Sequence, residues 1–198
     1  MQKIQASAVK CEACSETVPG HDIVHYGSID QGYRALCSRC FNAVVATRSG
    51  VEHFDNIRLN PIRISDCMDE MHEFHFRTRL LGNIVALDAF ELVEGAPGGY
   101  QFQVLGDPAG DLFLLLGALV QKIRKALAVK YIKKGEYGPQ ISDRQVIGKI
   151  DCDLSSADRM PLLLIDGQEV SWEEFGRMLM SFEGWQFKLE IFDPSDDV

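Results

Sequence analysis

His72, Phe74, Phe76, Thr78 and Leu80 alternate with Glu73, His75, Arg77 and Arg79, a period of two that predicts a strand with one face turned to a core. Gly82-Asn83 offers a turn into an apolar run at 84–93. A loop at 95–99 around Pro97 leads into a third strand at 100–105. The simplest arrangement is an antiparallel meander. Residues 112–132 then predict a long central helix, entered through Asp107-Pro108 as an N-terminal cap. Leu116, Leu119, Ile123, Leu127 and Tyr131 form one stripe along it that can cross the sheet. Further strands are expected at 146–154 and 162–165. Ser171 and Glu174 form a capping box for a shorter C-terminal helix carrying Phe175, Met178, Leu179 and Phe182 at the helical period. Residues 185–192 alternate again and read as a last strand.

The N-terminal fifty residues follow a different rhythm. Two β-prone runs, 23–26 and 33–36, flank a turn-rich stretch at 27–32. Phe41, Val44, Val45 and Arg48 then recur at helical spacing before Gly50. Periodicity is poor from 49 to 65, and Asn60-Pro61 discourages helix. The expected organisation is a small N-terminal unit at 1–50, a linker at 51–65, an α+β domain at 66–193 with a mainly antiparallel sheet, and an acidic tail at 194–198.

Composition narrows the function classes. The chain has 198 residues, 46% of them hydrophobic and 25% charged, which fits an ordinary globular protein. Its longest apolar run, the nine residues 112–120, is about half of the roughly 20 that cross a bilayer as a helix, so no membrane partner is expected. The opening residues hold no apolar stretch of the kind that directs secretion, so a cytoplasmic location with reduced thiols is expected. The net charge of −9 opposes non-specific binding to phosphate backbones. Residues 1–50 carry Lys3, Lys10, Arg34, Arg39 and Arg48 against Glu12, Glu16, Asp22 and Asp30, a balance of +1, leaving −10 for the rest.

Four of the six cysteines form Cys11-x2-Cys14 and, after 22 intervening residues, Cys37-x2-Cys40. A two-residue spacer lets the backbone turn so that both sulfurs aim at one point, and two such knuckles complete the tetrahedron that Zn²⁺ accepts. The hairpin between the pairs and the helix after the second give the order knuckle, hairpin, knuckle, helix. In these residues the chain resembles the treble-clef class of zinc fingers over about residues 9 to 50. The resemblance implies one structural Zn²⁺ per chain held by Cys11, Cys14, Cys37 and Cys40, with no open coordination position and hence no chemistry at the metal. Ser15 and Phe41 stand where such fingers often place a glycine. The closing segment PLLLIDGQEVSWEEFGRMLMSFEGWQFKLEI also resembles the end of uncharacterised bacterial proteins that carry such a finger.

Other constellations compete less well. Lys122, Arg124, Lys125, Lys130, Lys133 and Lys134 form a basic run without an acid, with Lys122, Lys125 and Lys133 expected on one arc of the central helix, though cations also suit a helix C-terminus. Cys67, His72 and His75 lie among Asp66, Asp69, Glu70 and Glu73, but a spacing of three on a strand sends the two histidines to opposite faces. His21, His25 and His53 read as surface or hairpin residues, and Cys152 as a core residue beside Val146, Ile150 and Leu154. Asp151 and Asp153 share a strand face and, with Asp158 or Asp166, could hold Mg²⁺ or act as an acid/base pair. The leading expectation is a non-catalytic binding or regulatory module with a structural zinc site and a protein partner. The alternatives are nucleic-acid binding through the finger and the basic helix end, and a metal-dependent hydrolase using the Asp151/Asp153 face.

Overall fold

The computed structural model describes residues 8–52, 54, 56–136, 138–153 and 159–196, so His53, Leu154 and Asp158 lie outside the described residues. It is an α+β protein whose strands all pair antiparallel. At the N-terminus β1 (Ala8–Lys10) pairs with β2 (Thr17–Pro19), and β3 (Ile23–Ser28) forms a hairpin with β4 (Gly32–Cys37). Helix α1 (Ser38–Ser49) follows without a break and ends at Gly50, whose left-handed φ of 67° suits a residue without Cβ. Val18, Leu36, Phe41 and Val45 close a small core against Cys11 and Cys37.

The sheet begins inside the stretch expected to be a linker. Ile62–Ser65 is a strand, β5, because Ile62 and Ile64 alternate with Arg63 and Ser65 and dock on the core; four residues are too few to announce themselves by periodicity. It pairs with β6 (Met71–Leu81), followed by β7 (Ile84–Val93) and β8 (Ala96–Gly106), in the order β5-β6-β7-β8. The expected loop at 95–99 contracts to a turn at Glu94 and Gly95, both with positive φ, and residues 96–99 join β8. The register jumps from Phe90↔Gln101 to Glu91↔Gly98, a bulge that inserts Gly99 and Tyr100. A Cβ at Gly99, where φ is 57°, would fall 2.3 Å from the Glu91 carboxylate, so this close approach demands glycine.

Helix α2 (Leu112–Leu127) crosses one face of the sheet. Leu119, Ile123 and Leu127 meet Phe74, Leu87, Ala89 and Val104 in the central core. Its cap is Asp111, which accepts the Phe113 N–H at 2.8 Å, whereas Asp107 accepts the Ala109 N–H in the preceding turn. The helix stops at Leu127 rather than 132. The Leu127 carbonyl accepts the Cys67 N–H, Lys130 is drawn onto Asp66, and the Ile132 N–H donates to Asp166, so tertiary contacts override a helical stripe that the sequence carries on to Tyr131.

The remaining chain builds a third core. β9 (Ile132–Gly135) pairs with β10 (Gly138–Ile141), and β11 (Lys149–Cys152), β12 (Pro161–Ile165) and β13 (Gln168–Ser171) form a three-stranded sheet. Helix α3 (Trp172–Leu179) has the expected capping box, with Ser171 accepting from the Glu174 N–H and Glu174 from the Ser171 N–H. Leu163, Ile165, Val170 and Met178 form its core, against Tyr131, Ile132 and Phe175. Ile150 is 56% exposed, so the Cys152 face of β11 is not a core face. Residues 185–192 form no strand: their alternation is intact, but no sheet edge among the described residues pairs with them.

The N-terminal unit is seated on the central sheet. β5 reaches only as far as Phe74 along β6, leaving the backbone edge of the longer strand open beyond it. Asn42 of α1 covers that edge, donating from Nδ2 to the Thr78 carbonyl at 2.9 Å and accepting the Leu80 N–H at Oδ1 at 2.8 Å. Leu80 itself completes the core of the N-terminal unit. His21, expected on the surface, packs edge-on to His75 and Phe90 of the sheet, and its carbonyl accepts a hydrogen bond from Arg77.

Candidate metal centre

The two knuckles are built differently. In the first, the Ser15 N–H donates to the Cys11 carbonyl and the Cys11 N–H to the Glu16 carbonyl, with Ser15 at φ 63°, the left-handed conformation that a glycine would adopt more easily. This turn is tied to β4 because the Glu12 N–H donates to the Ala35 carbonyl and the Glu12 carboxylate accepts the Ala35 N–H. The second knuckle is the entry into α1: Cys37 is its N-terminal cap and Cys40 lies in its first turn. A helical turn needs no glycine after the second cysteine, which is why Phe41 fits there and points into the core.

A tetrahedral ion about 2.3 Å from each sulfur requires sulfur–sulfur edges of about 3.8 Å. The Sγ atoms of Cys14 and Cys37 are 3.9 Å apart, and all four sulfurs lie within 4.8 Å of one another. Cys11 and Cys37 are fully buried and Cys14 is exposed. Electrostatics set Cys11 against Cys37 and Cys40. Burial opposes ionisation of Cys11, but N–H groups from Cys14, Cys37 and Ala13 outweigh it and bring the thiol down to about 6. Burial and then the neighbouring sulfurs push Cys40 far above the ordinary thiol range, and burial raises Cys37. Four thiolates can share this volume only around a cation. The donor set is soft, closed and entirely protein-derived, which fits a structural metal site.

A second group, Asp66, Glu70 and His72, also comes within ligand distance, but a cation already occupies it. Lys130 Nζ lies 2.7 Å from Asp66 Oδ2 and 3.3 Å from the Tyr100 hydroxyl. His72 stands between two carboxylates, Nδ1 2.8 Å from Glu91 and Nε2 3.4 Å from Asp66. The bulge in β8 positions Glu91 for this role, since its other oxygen accepts the Tyr100 N–H. His75 lies on the opposite face against Phe90 and Glu73, and Cys67 is exposed. The cluster is an internally satisfied clamp joining the β5–β6 turn to the segment after α2.

The clamp carries a pH dependence. The Lys130 ammonium beside Asp66, aided by the Glu70 and Met68 amides and by His72 against the opposing effect of burial, holds the Asp66 carboxyl well below the usual carboxylate range. A carboxyl lowered in the folded state contributes stability that is complete above its unfolded value of about 4 and is lost as pH falls through the folded value. Thermal midpoints measured from about pH 6 to about pH 2 should therefore fall, and the decline should be shallower in Asp66→Asn. Equal slopes would show that the clamp does not titrate with folding.

The other candidate residues are not brought together. Among the described residues Asp151 and Asp153 join no group of three ligands. Asp151 instead pairs with Lys149 at 3.1 Å, and Asp166 is buried beneath the Ile132 N–H. The basic run disperses: Lys130 is in the clamp, Lys133 and Lys134 are on β9, and Lys122 reaches the carbonyls of Gln103, Pro194 and Asp196. Arg48 lies over the Tyr26 ring and donates to its hydroxyl. An apolar groove of about 410 Å³ runs past Phe54, Ile57, Val85 and the start of α2. Its two carboxylates, Asp107 and Asp111, accept backbone N–H groups of their own turns.

Sequence reasoning passed over Asn42, Glu91 and Tyr100. Only Asn42 carried a signal, as a polar residue three positions before Val45 on the buried side of a helix. Among the described residues no helix is long and apolar enough to cross a membrane.

Three family models match consecutive parts of the chain, residues 10–52 (DUF7685), 55–128 (DUF7686) and 131–196 (DUF7713), each described as a domain of unknown function. No curated protein and no solved structure matches the chain. The buried residues of the three hydrophobic cores fall one core to each matched segment, apart from Leu80, which the central sheet contributes to the N-terminal core.

Proposed function

We propose that the chain is a non-catalytic binding or regulatory module whose N-terminal unit is a treble-clef-like finger closed by one structural Zn²⁺. Cys11, Cys14, Cys37 and Cys40 are the ligands. The observation that carries this reading is the convergence of four thiols, two of them fully buried, in a set that leaves no position for substrate or water. A structural ion supplies folding free energy to a unit whose own core is small. Seating the finger on the sheet through Asn42 and Leu80 makes it part of a larger platform. A four-thiol site also suits a compartment in which cysteines stay reduced, in line with a cytoplasmic location. On a chain with a net charge of −9, a protein partner is favoured over nucleic acid.

The test is elemental analysis of the full chain purified without chelator, followed by exchange with Co²⁺. One zinc per chain and the absorption of tetrahedral cobalt thiolate are expected. Iron at stoichiometric level, or a chain that folds with no metal, would overturn the assignment.

A further inference from the structure

Residues 185–192 carry the largest concentration of exposed apolar side chains after α3. Phe187 is 90% exposed, Leu189 73% and Ile191 72%. The segment is held at both ends. Trp185 lies edge-on to Phe182 and under the Arg144 guanidinium, while Lys122 binds the carbonyls of Pro194 and Asp196. Between these anchors the sequence alternates, apolar at Trp185, Phe187, Leu189 and Ile191 and polar at Gln186, Lys188 and Glu190. The Lys188–Glu190 ion pair at 2.6 Å places those two charges on a common face. This is the pattern of a half-buried strand whose neighbour is absent, and exposed apolar runs of this kind mark interaction surfaces.

We propose that this segment pairs antiparallel with the same segment of a second copy, about a twofold axis at Leu189. The charges decide the partner and the register. A slip of one residue turns an apolar face against a polar one, so only pairings that keep the apolar residues together compete. Of these, one sets Lys188 opposite Lys188 of the second copy and another sets Glu190 opposite Glu190. The register between them sets Lys188 opposite Glu190 twice, with Phe187 facing Ile191 and Leu189 facing itself. Parallel in-register pairing would again put like charges side by side. The segment is thus self-complementary in one orientation and one register, as an isologous interface requires. None of the four clustered cysteines lies in this segment.

Sedimentation velocity and native mass spectrometry of the full chain test it over a concentration series. A two-stranded ribbon is marginal by itself, so a dissociation constant on the order of micromolar is expected. Lys188→Glu and Glu190→Lys should each weaken the dimer about tenfold or more, since every single exchange makes two like-charge pairs. The double exchange Lys188→Glu with Glu190→Lys should restore association to within about threefold of the original. A wild-type chain that stays monomeric at about 100 μM, single exchanges without effect, or a double exchange that fails to rescue would each overturn the proposal.

Discussion

Cys37→Ser is expected to lose bound metal and to unfold the N-terminal unit while the central core persists. Structural zinc contributes about 10–16 kcal/mol to small metal-folded units, far more than the apolar core around Leu36, Phe41 and Val45 can replace. Cys37 is the sharpest place to cut, because it is fully buried, caps α1 and donates its N–H to Cys11 Sγ. Hydrogen exchange should accelerate throughout β3, β4 and α1 and change little in β7, whose residues lie in the central core. Cys152→Ser, outside the cluster, should keep one zinc per chain and normal exchange. Full metal content and unchanged amide protection in Cys37→Ser would remove the basis for the assigned ligands.

Asn42→Ala is expected to cost about 2–4 kcal/mol, because it strands two buried backbone groups and each unsatisfied group costs about 1–3 kcal/mol. The Thr78 carbonyl and the Leu80 N–H lose their partners together, and the side chain that supplied both is fully buried. Denaturant unfolding gives the global loss, and exchange at the Leu80 amide reads the local one. Asn42→Asp separates geometry from chemistry: it retains an acceptor for Leu80 but turns a carboxylate oxygen toward the Thr78 carbonyl, so it too should destabilise. A cost below about 0.5 kcal/mol for Asn42→Ala would mean that water satisfies the β6 edge equally well and that the finger is held to the sheet by other contacts.

Local chemistry was legible wherever it was self-contained. The cysteine spacing, the β3–β4 hairpin, the β6–β7 turn at Gly82 and the Ser171–Glu174 capping box each depend on residues a few positions apart, and all stand where the pattern puts them. The failures share a cause, which is dependence on distant partners. α2 ends early because Asp66 and Asp166 claim the residues after it. In the third core β11 and β12 stand at the strands expected over 146–154 and 162–165, whereas β9, β10 and β13, four residues each, are too short for a period of two to be distinguished from chance. Residues 185–192 have a strand's sequence and no neighbour among the described residues, so alternation alone gave the face and not the pairing. The Lys130–Asp66 clamp joins residues 64 positions apart, and nothing in either neighbourhood announces it.

The mismatch in length between β5 and β6 has a consequence for the fate of the chain. β6 runs to Leu81 while its partner covers it only to Phe74, and an uncovered edge is a template for intermolecular pairing. Asn42, two residues beyond Cys40, is the cover. A chain that cannot close its finger therefore does more than lose fifty residues of order: it presents Thr78 and Leu80 as an open edge bordered by apolar side chains. With an ion held as proposed, starvation for it would be read out as aggregation, and the N-terminal unit would act as a gatekeeper of colloidal stability for the sheet it sits on.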